Sequence, residues 1–285
     1  MHSDIYSFWV GDDISFIEYL IMKSYVDHGH NFTLYTLGDV DPIPAGVTVQ
    51  SALEILTPIR DLGPGMRHNN AVYSDLFRLT RNHQLGGIWV DMDACCLRPF
   101  DFENDFVVAF DSQYIANGVL GLPQQSATLE NCIQIIENKG NIIPPFFTEA
   151  QQNFLKEKID DGVSITFYEL PWATSGPFLV EHFLRQTGEI EKIMPKRSFY
   201  PGPKPYRRPL LDPNYDHNWY APSDVYSVHF YGRTKRILAM ELDGIPPSGS
   251  FLEKLCNRHE VNPTQFPLKY TPQIPSPDVI SFPKA

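Results

Sequence analysis

The sequence predicts an α/β protein whose sheet opens with parallel strands. Three observations lead there. Short apolar runs alternate with amphipathic segments from residue 5 to about residue 90. Those runs end in glycine or acidic residues, as strands do where they meet loops. Residues 69–85 carry Val72, Leu76, Leu79 and Leu85 near a 3.6-residue period, then Gly86-Gly87, then the apolar run Ile88-Trp89-Val90. That succession reads as an amphipathic helix, a left-handed glycine stop and a buried strand.

The first strand runs from Ile5 to Val10 and ends at Gly11-Asp12-Asp13. A helix follows over 14–27, with Ile17, Leu20, Ile21 and Tyr25 at helical spacing and Asp13 at the N-cap. Residues 32–37 form a second strand, so strand, helix and strand make one βαβ unit. A short strand over 47–49 comes next, and 57–68 is a Pro/Gly-rich loop into the 69–85 helix. On that helix Asp75 and Arg78 are three residues apart and share a face.

Asp91 and Asp93 stand where the Ile88-Trp89-Val90 strand runs out. Ligands of open α/β sheets bind beyond the carboxyl ends of the strands. If the strand persists, alternation sends both carboxylates the same way. Two hard oxygen donors suit Mg²⁺ or Mn²⁺, which complete their shells with water and substrate phosphate. A bare D-x-D is more often a solvated strand end, so its surroundings decide.

Those surroundings, SDLFRLTRNHQLGGIWVDMD, resemble the S/A-D-x-x-R…GG-x-[YW]-x-D-x-D signature of DXD-containing sugar-nucleotide glycosyltransferases. The similarity is to the family 32 type (capsule, mannosyl- and galactosyltransferases), with the large clostridial glucosylating toxins as cousins. It spans about 20 consecutive positions, and weaker matches extend from about residue 5 to about residue 235. The resemblance implies a GT-A fold: a Rossmann-like mixed sheet flanked by helices, with helical and loop elaboration on the acceptor side. It implies a domain over 1–242, with a donor-nucleotide half at 1–125 and an acceptor-side half at 126–242. Residues 243–285 are then a Pro-rich extension.

The opening strand resembles the family's h-h-x-h-W-x-G start. There the tryptophan stacks on the base, which assigns Trp9 that role and lets Val10 and Gly11 bring backbone to the nucleotide. Read locally, Trp9 is a core aromatic. A strand over 106–110 is followed by 115–121, similar to the family's sugar-pocket segment, where Asn117 would bond a sugar hydroxyl. Locally Asn117 is equally a left-handed turn residue before Gly118. Helices are expected over 127–137 and 151–159. Thr174-Ser175-Gly176-Pro177 resembles a T-G-P helix start, which a hydroxyl cap and an N-terminal proline also explain. Residues 200–222 form a long proline- and aromatic-rich loop.

The last clear strand, 225–232, leads into His229-Phe230-Tyr231-Gly232-Arg233-Thr234-Lys235. This is similar to the H-x-x-G-x-x-K end of retaining GT-A enzymes. There the histidine is a third metal ligand beside the aspartates and the lysine meets the diphosphate. Locally His229 is a core histidine. The tail from residue 262 lacks periodicity and reads as an extended strap or as disorder.

A net charge of −11 argues against nucleic-acid binding and against a polybasic membrane patch. Cys95, Cys96, Cys132 and Cys256 have no zinc or C-x-x-C spacing and read as small buried hydrophobes in a reducing compartment. The N-terminus has no leader pattern, and no window is long and apolar enough for a membrane span. A cytoplasmic protein is expected, with peripheral membrane contact open to it.

The resemblance implies a retaining, metal-dependent hexosyltransferase that uses Mn²⁺ or Mg²⁺. UDP-galactose, UDP-glucose or a UDP-N-acetylhexosamine would be the donor. The acceptor would be a glycan, glycolipid or protein, in surface polysaccharide or glycoconjugate synthesis. Asp75 and Arg78 would hold the donor sugar and the leaving phosphate, and Asp91 and Asp93 the metal. Two rivals stand beside it. A haloacid-dehalogenase-type phosphatase also places D-x-D after a strand, with Asp160-Asp161 as its later acidic pair. An inactive transferase fold serving as a binding module is the other.

Overall fold

The computed structural model describes residues 4–201 and 209–283. Among these, strands β1 (Ile5–Trp9), β2 (Phe32–Thr36), β3 (Val47–Ser51), β4 (Ile88–Val90), β6 (Val107–Asp111) and β7 (Tyr114–Gly121) form one sheet in the order β3-β2-β1-β4-β7-β6. β1, β2, β3 and β4 are parallel, whereas β7 runs antiparallel to β4 and to β6. A second, two-stranded sheet pairs β5 (Ala94–Cys96) with β8 (Ser227–His229).

Alternation in β1 shows why both faces need cover. Ile5 and Trp9 pack into the apolar cluster on one face, and Tyr6 and Phe8 into the cluster on the other. Helix α1 (Phe16–Asp27) covers the first face with Phe16, Ile17, Leu20, Ile21 and Tyr25, all fully buried. Each such side chain contributes about 1.5–3 kcal/mol. Helix α2 (Arg67–Leu85) covers the second with Val72, Tyr73, Phe77 and Leu79. Helices α3 (Ala127–Ile136) and α5 (Leu179–Thr187) extend that second layer. This is a mixed α/β sheet flanked by helices, the expected class, and it agrees with the GT-A type.

Several local expectations are corrected. The N-cap of α1 is Ser15, not Asp13: its hydroxyl accepts from the Ile17 amide and Glu18 reaches back, a capping box. The exposed Asp13 instead forms a single bridge with Asp41. Leu85, at the end of α2, is 58% exposed and lies outside the core. Asn117 sits inside β7, not in a left-handed turn. The 225–232 strand stops at His229. Tyr231, at φ 56°, turns the chain into α6 (Tyr231–Glu241), a helix the pattern did not reveal.

Helix α4 (Glu149–Asp160) closes an insertion after α3. Helix α7 (Phe251–Arg258) places Phe251, Leu252, Leu255 and Cys256 in the same core as α1. The tail beyond it is an extended strap. Its Phe266 carbonyl accepts from Phe16 N, Ile274 N donates to Gly65 O, and Ile280 N donates to Glu169 O. The loop expected over 200–222 lies in part, at 202–208, outside the described residues. All four cysteines are free and buried, and burial pushes the Cys95 and Cys256 thiols up to about 12.

Candidate active site

The sheet order reverses direction between β1 and β4, and these parallel strands end on the same side of the sheet, where open α/β sheets take their ligands. Trp9, Val10 and Gly11 leave the end of β1, and Asp91 follows the end of β4. Trp9 and Val10 are half-buried. Trp9 Nε1 donates to Asp13 O at 3.2 Å, and Gly11 takes φ 119°, a conformation that favours glycine.

The strand does not persist through the D-x-D. Asp91, Met92 and Asp93 form a turn in which Ala94 N donates to Asp91 O, and the chain re-enters as β5. The carboxylates still converge, because β8 pairs back on β5 with Ala94 opposite His229. His229 Nε2 stands 2.8 Å from Asp93 Oδ1 and 4.0 Å from Asp91 Oδ2. Ligand atoms of all three residues lie within 4.8 Å of one another. Donors bound to one hard cation at about 2.1 Å reach separations up to about 4.2 Å. Two oxygens and one imidazole fit such an ion with little movement. His229 Nδ1 is buried without a hydrogen-bond partner among the described residues, so no second hydrogen bond holds the ring in one tautomer.

Burial opposes charge on His229, but the Asp93 carboxylate outweighs it and holds the imidazole pKa above its ordinary value. In return, His229 holds Asp93 below the carboxylate range against its own burial. The two groups thus favour each other's charged forms, at the position where a metal would bind.

Arg78 joins the two acidic positions. Its guanidinium donates to Asn117 O at 2.5 Å and to Ser74 Oγ at 2.8 Å. It stands 3.3 Å from Asp91 and 3.5 Å from Asp75, and lies over the Trp89 ring at 4.4 Å. Trp89 Nε1 donates to Asp91 Oδ1 at 2.8 Å. Asp75 is 7% exposed; Asn117 Nδ2 donates to its Oδ1 and Ser175 Oγ to its Oδ2, each at 2.8 Å. Burial pushes the Asp75 pKa up despite Arg78, Ser175 and Asn117.

Lys235, on α6, is half-buried and bonds Glu18 Oε1 at 2.6 Å. Its Nζ is 5.9 Å from the Trp9 ring. Burial opposes its charge, but Glu18, with Asp93 and Asp91, holds its pKa above the ordinary value. The lysine thus stands near the Trp9 ring and within the electrostatic reach of the aspartates.

Sequence reasoning missed four contributors. Glu18 fixes Lys235 and Trp89 fixes Asp91. Ser175 bonds Asp75 rather than capping a helix: the turn over Thr174–Phe178 is a single π-turn entered from Ala173. Gly118 is the fourth, since a Cβ there would stand 2.7 Å from His229 Cε1 and 3.0 Å from Asp91 Oδ2. Gly118→Ala is therefore expected to weaken metal binding at least about tenfold with every candidate ligand in place. The overpacking should cost about 1–3 kcal/mol of stability. Calorimetric titration with Mn²⁺ beside thermal unfolding checks both, and unchanged affinity would contradict the placement.

Asp160 and Asp161, the phosphatase-type pair, close α4 and are exposed. Among the described residues, no helix is long and apolar enough to cross a membrane. A cavity of about 230 Å³ lies between the strap and the 57–66 loop, lined in part by Arg60, Glu169 and Ile274; no predicted site residue lines it.

No family model and no curated protein matches the chain. Among solved structures, one titled PaToxG Glycosyltransferase aligns with 65% of this chain and 68% of its own. The identity is 12% and the TM-score 0.41.

Proposed function

We propose that the chain is a metal-dependent glycosyltransferase that moves a hexose from a nucleoside-diphosphate sugar to a hydroxyl acceptor. The observation that carries this is the Asp91, Asp93 and His229 cluster beside the Arg78 guanidinium at the strand-order reversal. The reading takes UDP-galactose, UDP-glucose or a UDP-N-acetylhexosamine as donor and Mn²⁺ or Mg²⁺ as the ion. Residues 1–125 are then the donor-nucleotide half, to which the acceptor-side half, 126–242, adds His229 and Lys235.

In transfer, the bond from the anomeric carbon to the β-phosphate oxygen breaks and that oxygen keeps the electron pair. The acceptor hydroxyl oxygen bonds the same carbon from the same face, and its proton passes to the leaving phosphate. The configuration is retained without a covalent enzyme intermediate. A bound divalent cation would neutralise the charge that builds on the diphosphate. Arg78 and Lys235 supply fixed positive charge on that side. Trp9 offers an aromatic face to the base, and Gly11 lets the nucleotide approach the backbone. Asp75 and Asn117 orient the donor sugar.

The test is thermal stability against UDP-, GDP-, ADP- and CMP-sugars, each with and without Mn²⁺. A ligand present at 100 times its Kd stabilises the native state by about 2.7 kcal/mol. A shift of several degrees with one UDP-sugar, dependent on Mn²⁺, is expected. A shift with no nucleotide would leave the chain a binding module.

A further inference from the structure

We infer that Trp172, backed by Arg67, is a carbohydrate-stacking platform that holds a pyranosyl ring of the acceptor at the outer end of the cleft. This rests on the transferase reading above and names an acceptor subsite for it. Four observations lead to it.

Trp172 is 52% exposed, so much of a large aromatic surface faces solvent. Arg67 lies against the ring, with its guanidinium carbon 4.7 Å from the centroid. That contact holds the indole in one plane and gives the ring a fixed cation. Among the described residues, Arg67 makes no ion pair that would draw it away from the ring.

The backbone is bent to present this residue. Ala173 takes φ 72°, unfavourable for a residue with a Cβ, and the π-turn follows at once. Such strain persists where the surroundings enforce it. Here the same turn presents Trp172 outward and brings Ser175 Oγ to Asp75 Oδ2 at 2.8 Å. Gly176 completes the seat, since a Cβ there would stand 2.3 Å from Asn117 Nδ2. The platform thus adjoins the turn whose Ser175 hydroxyl holds the donor-side carboxylate Asp75 on α2.

Helix α2 sets the direction. Arg67 and Arg78 are eleven residues apart, which at 3.6 residues per turn returns to the same face. The stripe that carries Arg78 at the aspartates therefore carries Arg67 about 16 Å along the axis. Trp172, which Arg67 contacts, therefore stands towards the N-terminal end of α2, on the face that carries Arg78. The chemistry suits a pyranose: its axial C–H groups carry partial positive charge and meet the negative face of the indole.

Saturation-transfer NMR on the full chain tests this with methyl β-galactopyranoside, methyl α-glucopyranoside and methyl α-mannopyranoside as probes, in the presence of UDP and Mn²⁺. We expect saturation of the ring C–H protons of at least one glycoside in the wild type. Trp172→Ala should cut its apparent affinity about tenfold, and Trp172→Phe should keep most of it. Saturation of none of the three, or saturation unchanged in Trp172→Ala, overturns the inference. The UDP- and Mn²⁺-dependent thermal shift, read on the same samples, separates the two proposals. A shift retained in both proteins with glycoside binding indifferent to Trp172 sinks the platform alone. No shift in either sinks the transferase reading, and Trp172-dependent saturation would then still support the platform.

Discussion

Asp93→Ala is expected to lower sugar transfer by about 10²–10³ in turnover, the factor lost when one fixed stabiliser of developing negative charge is removed. Two effects combine. The cluster loses the carboxylate nearest His229, whose Nε2 it meets at 2.8 Å. His229 also loses the main influence that keeps its pKa high, so burial then favours the neutral ring. Asp93→Asn retains the volume but not the charge and should fall as far. Turnover of the donor identified by thermal shift measures the loss. A variant with full activity would show that the cluster is not the reacting site.

The second large effect falls on Arg78. Arg78→Ala strips a nearly buried cation from between Asp75 and Asp91 and leaves Asn117 O and Ser74 Oγ without their donor. Removing one partner of a buried ion pair costs about 3–5 kcal/mol. For a chain of this size that is a Tm loss of about 5–8 °C, alongside loss of transfer. Arg78→Lys should recover little, because one ammonium cannot reach all these acceptors.

The Arg78→Ala defect should depend on pH with a definite sign. Burial already raises the Asp75 pKa, and Arg78 is the first influence opposing that rise. Without it the native pKa climbs further above the unfolded value, so the native state binds the extra proton. Stability then rises as pH falls from the raised native pKa towards the ordinary carboxylate value. Urea unfolding at neutral and mildly acidic pH reads this directly. A variant equally destabilised at both would mean that the charge on Asp75 is not what Arg78 compensates.

The core of the site was legible because it is contiguous. Helix, glycine stop, strand and D-x-D occupy 69–93, and local periodicity with turn chemistry suffices to read them. Asp75 and Arg78 follow from one helical turn. The supports of these residues were not legible, because they come from far along the chain. Ser175 reaches Asp75 across 100 residues, and Lys235 reaches Glu18 across 217. No local pattern encodes such pairs. The T-S-G-P motif is visible in the sequence, but a hydroxyl cap and an N-terminal proline account for it there, and only the fold puts the Ser175 hydroxyl on Asp75.

Other misses had signals in plain view. Ser15 and Glu18 spell S-x-x-E, a capping box that outranks Asp13 as the start of α1. His229 was readable as a core histidine or a ligand, and only the β5–β8 register brings it beside Asp93. The strap over 261–283 has no periodicity because it forms no regular element. It is held by backbone bonds to Phe16, Gly65 and Glu169.

The most direct test is electron paramagnetic resonance of Mn²⁺ titrated into the wild type and Asp93→Ala, with and without UDP. Binding by the wild type that tightens with UDP and is lost in the variant is the expected result. Equal Mn²⁺ binding by both proteins, or wild-type binding indifferent to UDP, would contradict a nucleotide-sugar site built on Asp91, Asp93 and His229.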